Sequence, residues 1–164
     1  MKPKIIFLDF DGVINNSANG TRWDRYEPQI DNCNIRPLNR IILETEAQIV
    51  ISSTWRQYIH NGYMNEWGMY ILLRSHGLTS SAKIIGTTRA SKFSECGPRS
   101  HQIRDWLKEN EHGRFVILDD WWHAGEGYPD NFIQTNETTG LTELDADRAI
   151  EILGKAIDEQ AEVA

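Results

Sequence analysis

A strand-length apolar run, Ile5-Ile6-Phe7-Leu8, leads straight into Asp9-Phe10-Asp11-Gly12-Val13. A run with no polar face fits a strand covered on both sides, as in a parallel sheet flanked by helices. Two carboxylates at its carboxyl end are costly to bury unless something pairs with them. Open α/β sheets bind ligands at the carboxyl ends of their strands. Carboxylate oxygens suit a hard cation such as Mg²⁺. If both acids are to reach one site, the chain must curl after Asp9, and Gly12 makes that turn easy. Taken alone, D-x-D-G reads equally well as a strand ending in an acidic turn.

Further along, a second apolar strand, Gln48-Ile49-Val50-Ile51, ends in Ser52-Ser53-Thr54. A third, Arg114-Phe115-Val116-Ile117-Leu118, ends in Asp119-Asp120. Between them Gly97-Pro98-Arg99 opens a helix. The order is acid pair, hydroxyls, basic residue, acid pair, each at a sheet or helix end. This order resembles the haloacid dehalogenase (HAD) superfamily of phosphohydrolases, from Ile5 to about Asp120. Ser52-Ser53-Thr54-Trp55-Arg56, Arg99 before Ile103 and Trp106, and Thr139-Gly140-Leu141-Thr142 narrow the likeness. Together they look like the small, capless HAD domains of "Swiss army knife" RNA-repair proteins.

Periodicity gives the remaining elements. A helix is expected over about Arg36–Thr45, with Pro37 near its start and Leu38, Ile41 and Ile42 on one face. A helical region from Trp55 to His76 is broken near Gly62 and Gly68 and stops at Gly77. Lys83–Gly86 reads as a short strand and Thr87–Gly97 as a loop. Ile103, Trp106 and Leu107 face the core from the helix after Pro98. Asn131–Thr135 forms an edge strand. Thr142 caps a last helix with Leu144, Ala149, Ile150, Leu153 and Ile157 as apolar positions. The segment from Val13 to about Asn34, with Trp23, Tyr26 and Pro28, forms a flap, and the end of the chain frays. This alternation predicts a three-layer α/β sandwich with a mainly parallel, Rossmann-like sheet. One domain over residues 1–164, without a large cap, is expected at this length.

The resemblance implies roles residue by residue. Asp9 is the nucleophile, forming an aspartyl-phosphate. Asp11 protonates the leaving oxygen and then deprotonates water. Mg²⁺ is held by Asp9, the Asp11 carbonyl and the Asp119-Asp120 pair, with Asp120 as ligand and Asp119 orienting water or the basic residue. Ser52 holds phosphoryl oxygens, with Ser53 and Thr54 as alternatives and Gly12 allowing close approach. Arg99 stands where the family usually has lysine. It offers a fork that can bind oxygens bidentately; Lys83, Arg89 and Lys92 compete for the role. Trp55 either stacks on a base or packs in the core. Arg56 either meets a second phosphate or pairs with an acid. Trp121 and Trp122 fall at the rim. None of the five histidines has metal-ligand spacing, and only His123 falls near the site.

A net charge of −7 argues against broad binding to duplex DNA. No apolar run reaches membrane-spanning length, and no signal-peptide core is evident. Cys33 and Cys96 lie in no metal or redox spacing and read as free thiols in a reducing cytoplasm. The leading expectation is a Mg²⁺-dependent phosphomonoesterase acting on phosphorylated nucleic-acid (RNA) ends, with no obligate protein partner. The competing expectations are a phosphatase of free nucleotides or small metabolites, and a catalytically idle phosphate-binding module.

Overall fold

The computed structural model describes residues 1–18, 30–89 and 98–154. In chain order the elements are β1 (Ile5–Leu8), α1 (Asn32–Thr45), β2 (Gln48–Ile51), α2 (Arg56–His60), α3 (Glu66–Ser75), β3 (Ile84–Thr87), α4 (Arg99–Glu109), β4 (Phe115–Asp119), β5 (Phe132–Gln134) and α5 (Glu143–Leu153). Two 3₁₀ turns, Trp122–Gly125 and Pro129–Asn131, link β4 to β5. The five strands form one sheet in the order β3-β2-β1-β4-β5. Every pairing is parallel. This is the α/β, Rossmann-like parallel sheet expected from the apolar runs, and the HAD-like arrangement that the resemblance implies. No large cap domain occurs among the described residues.

The period of two divides β1 between two apolar layers. Ile6 and Leu8 join Ile49, Ile51, Val116 and Leu118 under α1, α3 and α5. Ile5 and Phe7 join Val50 and Ile117 under Ile103 of α4. Trp106 completes that second layer, edge-on to Phe7 at 5.4 Å. All four β1 residues are buried, which accounts for the absence of a polar face in the sequence. The chain runs outward from β1 to β3, then crosses to β4 and β5. The strand order therefore reverses between β1 and β4, the position where open α/β sheets form their binding crevice.

Several boundaries differ from the sequence reading. Helix α1 begins at Asn32, because Asp31 caps it by accepting from the Cys33 N–H at 3.0 Å. Pro37 thus lies inside the helix, buried against the core. Gly62, at φ +75°, does separate α2 from α3. Gly68 does not break a helix: it lies in the first turn of α3, where its N–H donates to the Asn65 cap. Leu144 is exposed rather than core-facing, because it falls on the outer side of the first turn of α5. Thr142 forms a full capping box with Asp145. Val13 and Ile14 are core residues rather than flap. Trp23, Tyr26, Pro28, Lys92, Cys96 and Ile157 lie outside the described residues.

The Thr139–Thr142 motif has a structural explanation. Asn34 Nδ2 donates to the carbonyls of Thr139 and Leu141, and Asn34 Oδ1 accepts from Asn16. The Leu141 N–H donates to Val13 O at 2.8 Å. Gly140 has φ +67°, and a Cβ there would meet the Asn34 amide at 2.5 Å. The motif ties the loop after β5 to the chain just behind Gly12.

Candidate functional site

The ladders fix the first carboxylates. Leu8 pairs with Leu118, and the Asp9 N–H continues the ladder by donating to Leu118 O at 3.0 Å. Asp9 and Asp119 therefore emerge side by side at the carboxyl edge. Both are buried. One carboxylate oxygen each from Asp9, Asp119 and Asp120 lies within 4.8 Å of the others. Arg99, at the start of α4, inserts Nη1 between Asp9 Oδ2, at 2.8 Å, and Asp119 Oδ2. The other Asp119 oxygen accepts the Trp121 N–H at 2.9 Å.

Burial pushes the Asp119 carboxyl above its ordinary range, and the nearby Asp9 charge adds to this. Arg99 and the Trp121 N–H oppose the rise. Burial works against the Arg99 cation, but Asp9 and Asp119 outweigh it and hold its pKa above the usual value. Arg99 is thus locked in its charged form.

Gly12 lets the chain curl. Its φ is +75°, and a Cβ there would come within 2.4 Å of Asp120 Oδ2. The Gly12 carbonyl accepts from Thr135 Oγ1 at 2.7 Å. Asp11 is not one of the three clustered acids but lines the same cleft. Its Oδ1 accepts from Asn15 Nδ2 at 2.8 Å and its Oδ2 from the Trp55 indole N–H at 3.1 Å. Asn15 also accepts the Gly12 N–H at 2.9 Å. The Asp11 carbonyl accepts no hydrogen bond among the described residues.

Asn15 and Thr135 escaped the sequence reading. Asn15 is four residues beyond Asp11, just past the glycine turn, where an amide can reach back. Thr135 ends the edge strand and so also lies at the carboxyl edge of the sheet.

The Ser52 N–H donates to Leu8 O at 3.0 Å, continuing the ladder past β2. Alternation then puts Ser52 on the same side as Val50, Phe7 and Asp9. Its hydroxyl is fully buried and has no hydrogen-bond partner among the described residues. Ser53 Oγ accepts from the Trp55 N–H at 3.2 Å. Thr54 is exposed and lines the cleft.

That cleft holds about 700 Å³ and is lined by Asp9, Asp11, Thr54, Arg99, Asp120, Trp121 and residues 134–137. Trp121 and Trp122 are exposed beside it. His123 stacks on Trp122 with centroids 3.4 Å apart. Lys83 sits at the opposite, amino end of the sheet with Met1 and Lys4. Arg89 pairs with Glu109 at 2.8 Å. Of the basic residues considered and described, Arg99 reaches the carboxylates.

Arg56 is placed differently from a second-phosphate ligand. Its guanidinium is buried and donates to Ser52 O at 2.7 Å, Ser53 O at 2.8 Å and Gln102 Oε1 at 2.8 Å. The carbonyls at the end of β2 draw it inward, so it braces the Ser52-Ser53 turn. Trp55 packs on Phe10, with centroids 5.0 Å apart, and stays only partly buried, lining a depression beside the cleft.

The donor set suits a divalent cation. Three clustered carboxylates, Asp9, Asp119 and Asp120, stand against the Arg99 guanidinium, and all their donors are hard oxygens. The Gly12 cradle leaves room for the Asp120 carboxylate where a side chain would fill it. No helix among the described residues is long and apolar enough to cross a membrane.

No curated protein matches the chain. A family model described as "HAD domain in Swiss Army Knife RNA repair proteins" matches residues 5–146. That span takes in both acid pairs, the hydroxyl turn and Arg99, and the HAD families are generally phosphatase-type hydrolases. The chain belongs to the family of HAD domains found in Swiss Army Knife RNA repair proteins.

Proposed function

We propose that the protein is a Mg²⁺-dependent phosphomonoesterase that acts on phosphorylated nucleic-acid ends through an aspartyl-phosphate. The observation that carries the reading is the junction of Asp9, Asp119 and Asp120 with Arg99 bridging two of them. Asp9, Asp120 and the Asp11 carbonyl would hold the ion, and a bound Mg²⁺ supplies charge neutralisation at the transferring phosphoryl group. Asp119 keeps its two oxygens on Arg99 and the Trp121 N–H, and so positions the cation rather than the substrate.

The Asp9 carboxylate attacks phosphorus, and the bond from phosphorus to the leaving oxygen breaks. Asp11 gives its proton to that oxygen. Water then attacks the phosphorus, Asp11 takes its proton, and inorganic phosphate leaves with the Asp9 carboxylate restored. Asn15 and Trp55 hold Asp11 in place for both transfers. The unpartnered Ser52 hydroxyl suits a phosphoryl oxygen, since a buried orphan group gains by acquiring a partner. Arg99 adds positive charge where the phosphoryl oxygens gather.

The family's description supports RNA ends as the substrate class, and the exposed Trp121 at the cleft rim suits a base. The proposed compartment is the cytoplasm, in keeping with the exposed free thiol of Cys33. The test is hydrolysis of an aryl phosphate and of phosphorylated oligonucleotides, with Mg²⁺ and with a chelator. Release of phosphate only with the metal, faster from oligonucleotide than from mononucleotide, is the expected result. Phosphate binding without turnover would instead mark an idle module, and equal efficiency on both nucleotides a small-metabolite enzyme.

A further inference from the structure

Next to the carboxylate cleft lies a second depression of about 380 Å³. It is lined by Thr54, Trp55, Gln57, Tyr58, Asn61 and Tyr63. Thr54 lines both spaces, so the two adjoin there. None of the six residues carries a charge. Their aromatic rings step outward from the reacting groups. The Trp55 indole N–H donates to Asp11, the Trp55 and Tyr58 centroids are 6.0 Å apart, and those of Tyr58 and Tyr63 are 6.4 Å apart. Tyr63 is 78% exposed, so its face is open to a ligand. Gln57 and Asn61 are one helical turn apart on this wall. Their side-chain amides make no hydrogen bond among the described residues.

An uncharged wall of π-faces and amides is a poor place for a second phosphate, which would seek a cation. It suits a nucleobase, which stacks on aromatic rings and offers its edge to amides that both donate and accept. The wall is also tied to the reaction centre. Arg56, within α2, binds the carbonyls of Ser52 and Ser53, so hydrogen bonds tie the helix that carries the groove to the hydroxyl turn. We propose that this groove is a nucleoside subsite, taking the base of the nucleotide that bears the scissile phosphate. The base stacks on Tyr63 and Tyr58, with Gln57 and Asn61 on its edge. The assignment rests on the phosphohydrolase reading and adds to it the place where the base is recognised.

The test compares kcat/KM for adenosine 3′- or 5′-phosphate, whichever reacts faster, with that for ribose 5-phosphate, which has no base. Tyr63→Ala is expected to lower this ratio about ten-fold, the scale of one lost base–aromatic stack. The double change Gln57→Ala with Asn61→Ala is expected to lower it further toward the base-free value. Trp67→Ala removes another exposed ring, one that does not line the groove, and it should leave the ratio near wild type. An unchanged ratio in Tyr63→Ala, or a collapse in Trp121→Ala instead, would overturn the assignment. If the wild-type protein hydrolyses neither these phosphates nor an aryl phosphate nor phosphorylated oligonucleotides, the phosphohydrolase reading fails by itself. The groove is then judged by NMR titration with adenosine: binding that Tyr63→Ala abolishes supports the subsite, and no binding to wild type rejects it.

Discussion

The carboxylate cleft and the aromatic groove beside it meet at Thr54 but are built differently. On the cleft floor Asp9 and Asp119 are 4% and 0% exposed. They are set by neighbouring rungs of a parallel ladder and clamped by Arg99. In the groove Tyr58 and Tyr63 are 45% and 78% exposed, on and just beyond a five-residue helix. The floor is charged and inside the sheet's edge; the groove is neutral and outside it. On the proposed reading the contrast separates two tasks: chemistry in a floor set by the sheet, and recognition in a groove where a residue can change without disturbing the sheet. Changes in the floor should therefore affect every substrate alike, and changes in the groove should affect only substrates with a base.

The largest expected effect is at the floor. Asp9→Asn should lower kcat about 10⁴-fold or more on base-bearing and base-free phosphates equally, as loss of a nucleophile does. The amide is nearly isosteric, so the thermal unfolding midpoint should not fall. Substrate-dependent losses in this variant would break the division.

A smaller effect separates the second acid pair. Asp120→Ala should raise the Mg²⁺ concentration for half-maximal rate about a hundred-fold, and Asp119→Ala about ten-fold, as a ligand and its outer neighbour differ. Metal titration of both variants measures this. The reverse order would make Asp119 the ligand and Asp120 the support.

Next comes Asn15, a positioning residue for Asp11. Asn15→Ala should lower kcat about ten-fold with KM little changed. A purely structural role would lower stability without this split between kcat and KM. The smallest expected effect on rate is at the joint between the two regions. Arg56→Ala leaves the Ser52 and Ser53 carbonyls without their buried donor. Chemical denaturation should show a loss of about 2 kcal/mol. Rates should fall only a few-fold, and by the same factor on all substrates. A loss confined to oligonucleotides would restore Arg56 as a ligand of a second phosphate.

The sheet was legible in the sequence because its strands are buried on both faces. Four short apolar runs and their polar ends suffice to place β1, β2, β3 and β4 and to put Asp9, Ser52 and Asp119-Asp120 at one edge. Arg99 could be singled out among four candidates only by position, and its contacts with Asp9 and Asp119 needed the crossing of α4 in space. Arg56 was ambiguous for a physical reason: an arginine after a strand can turn out to solvent or in to carbonyls, and its neighbours in sequence do not decide which. Gly68 misled because a glycine in a first helical turn is tolerated when a cap such as Asn65 takes its N–H. Asn15 and Thr135 were invisible because their partners, Asp11 and Gly12, depend on the left-handed turn and on β5 lying at the sheet edge. The groove was unreadable because Gln57, Tyr58, Asn61 and Tyr63 look like an ordinary polar helix surface.

In the proposed mechanism Asp9 accepts the phosphoryl group. The direct measurement is acid quenching during turnover, followed by peptide mapping by mass spectrometry. Phosphate is expected on Asp9, lost in Asp9→Asn and on mild alkaline treatment, as an acyl phosphate requires. Phosphate on Ser52, or steady turnover with Asp9 never labelled under conditions that preserve acyl phosphates, would contradict it.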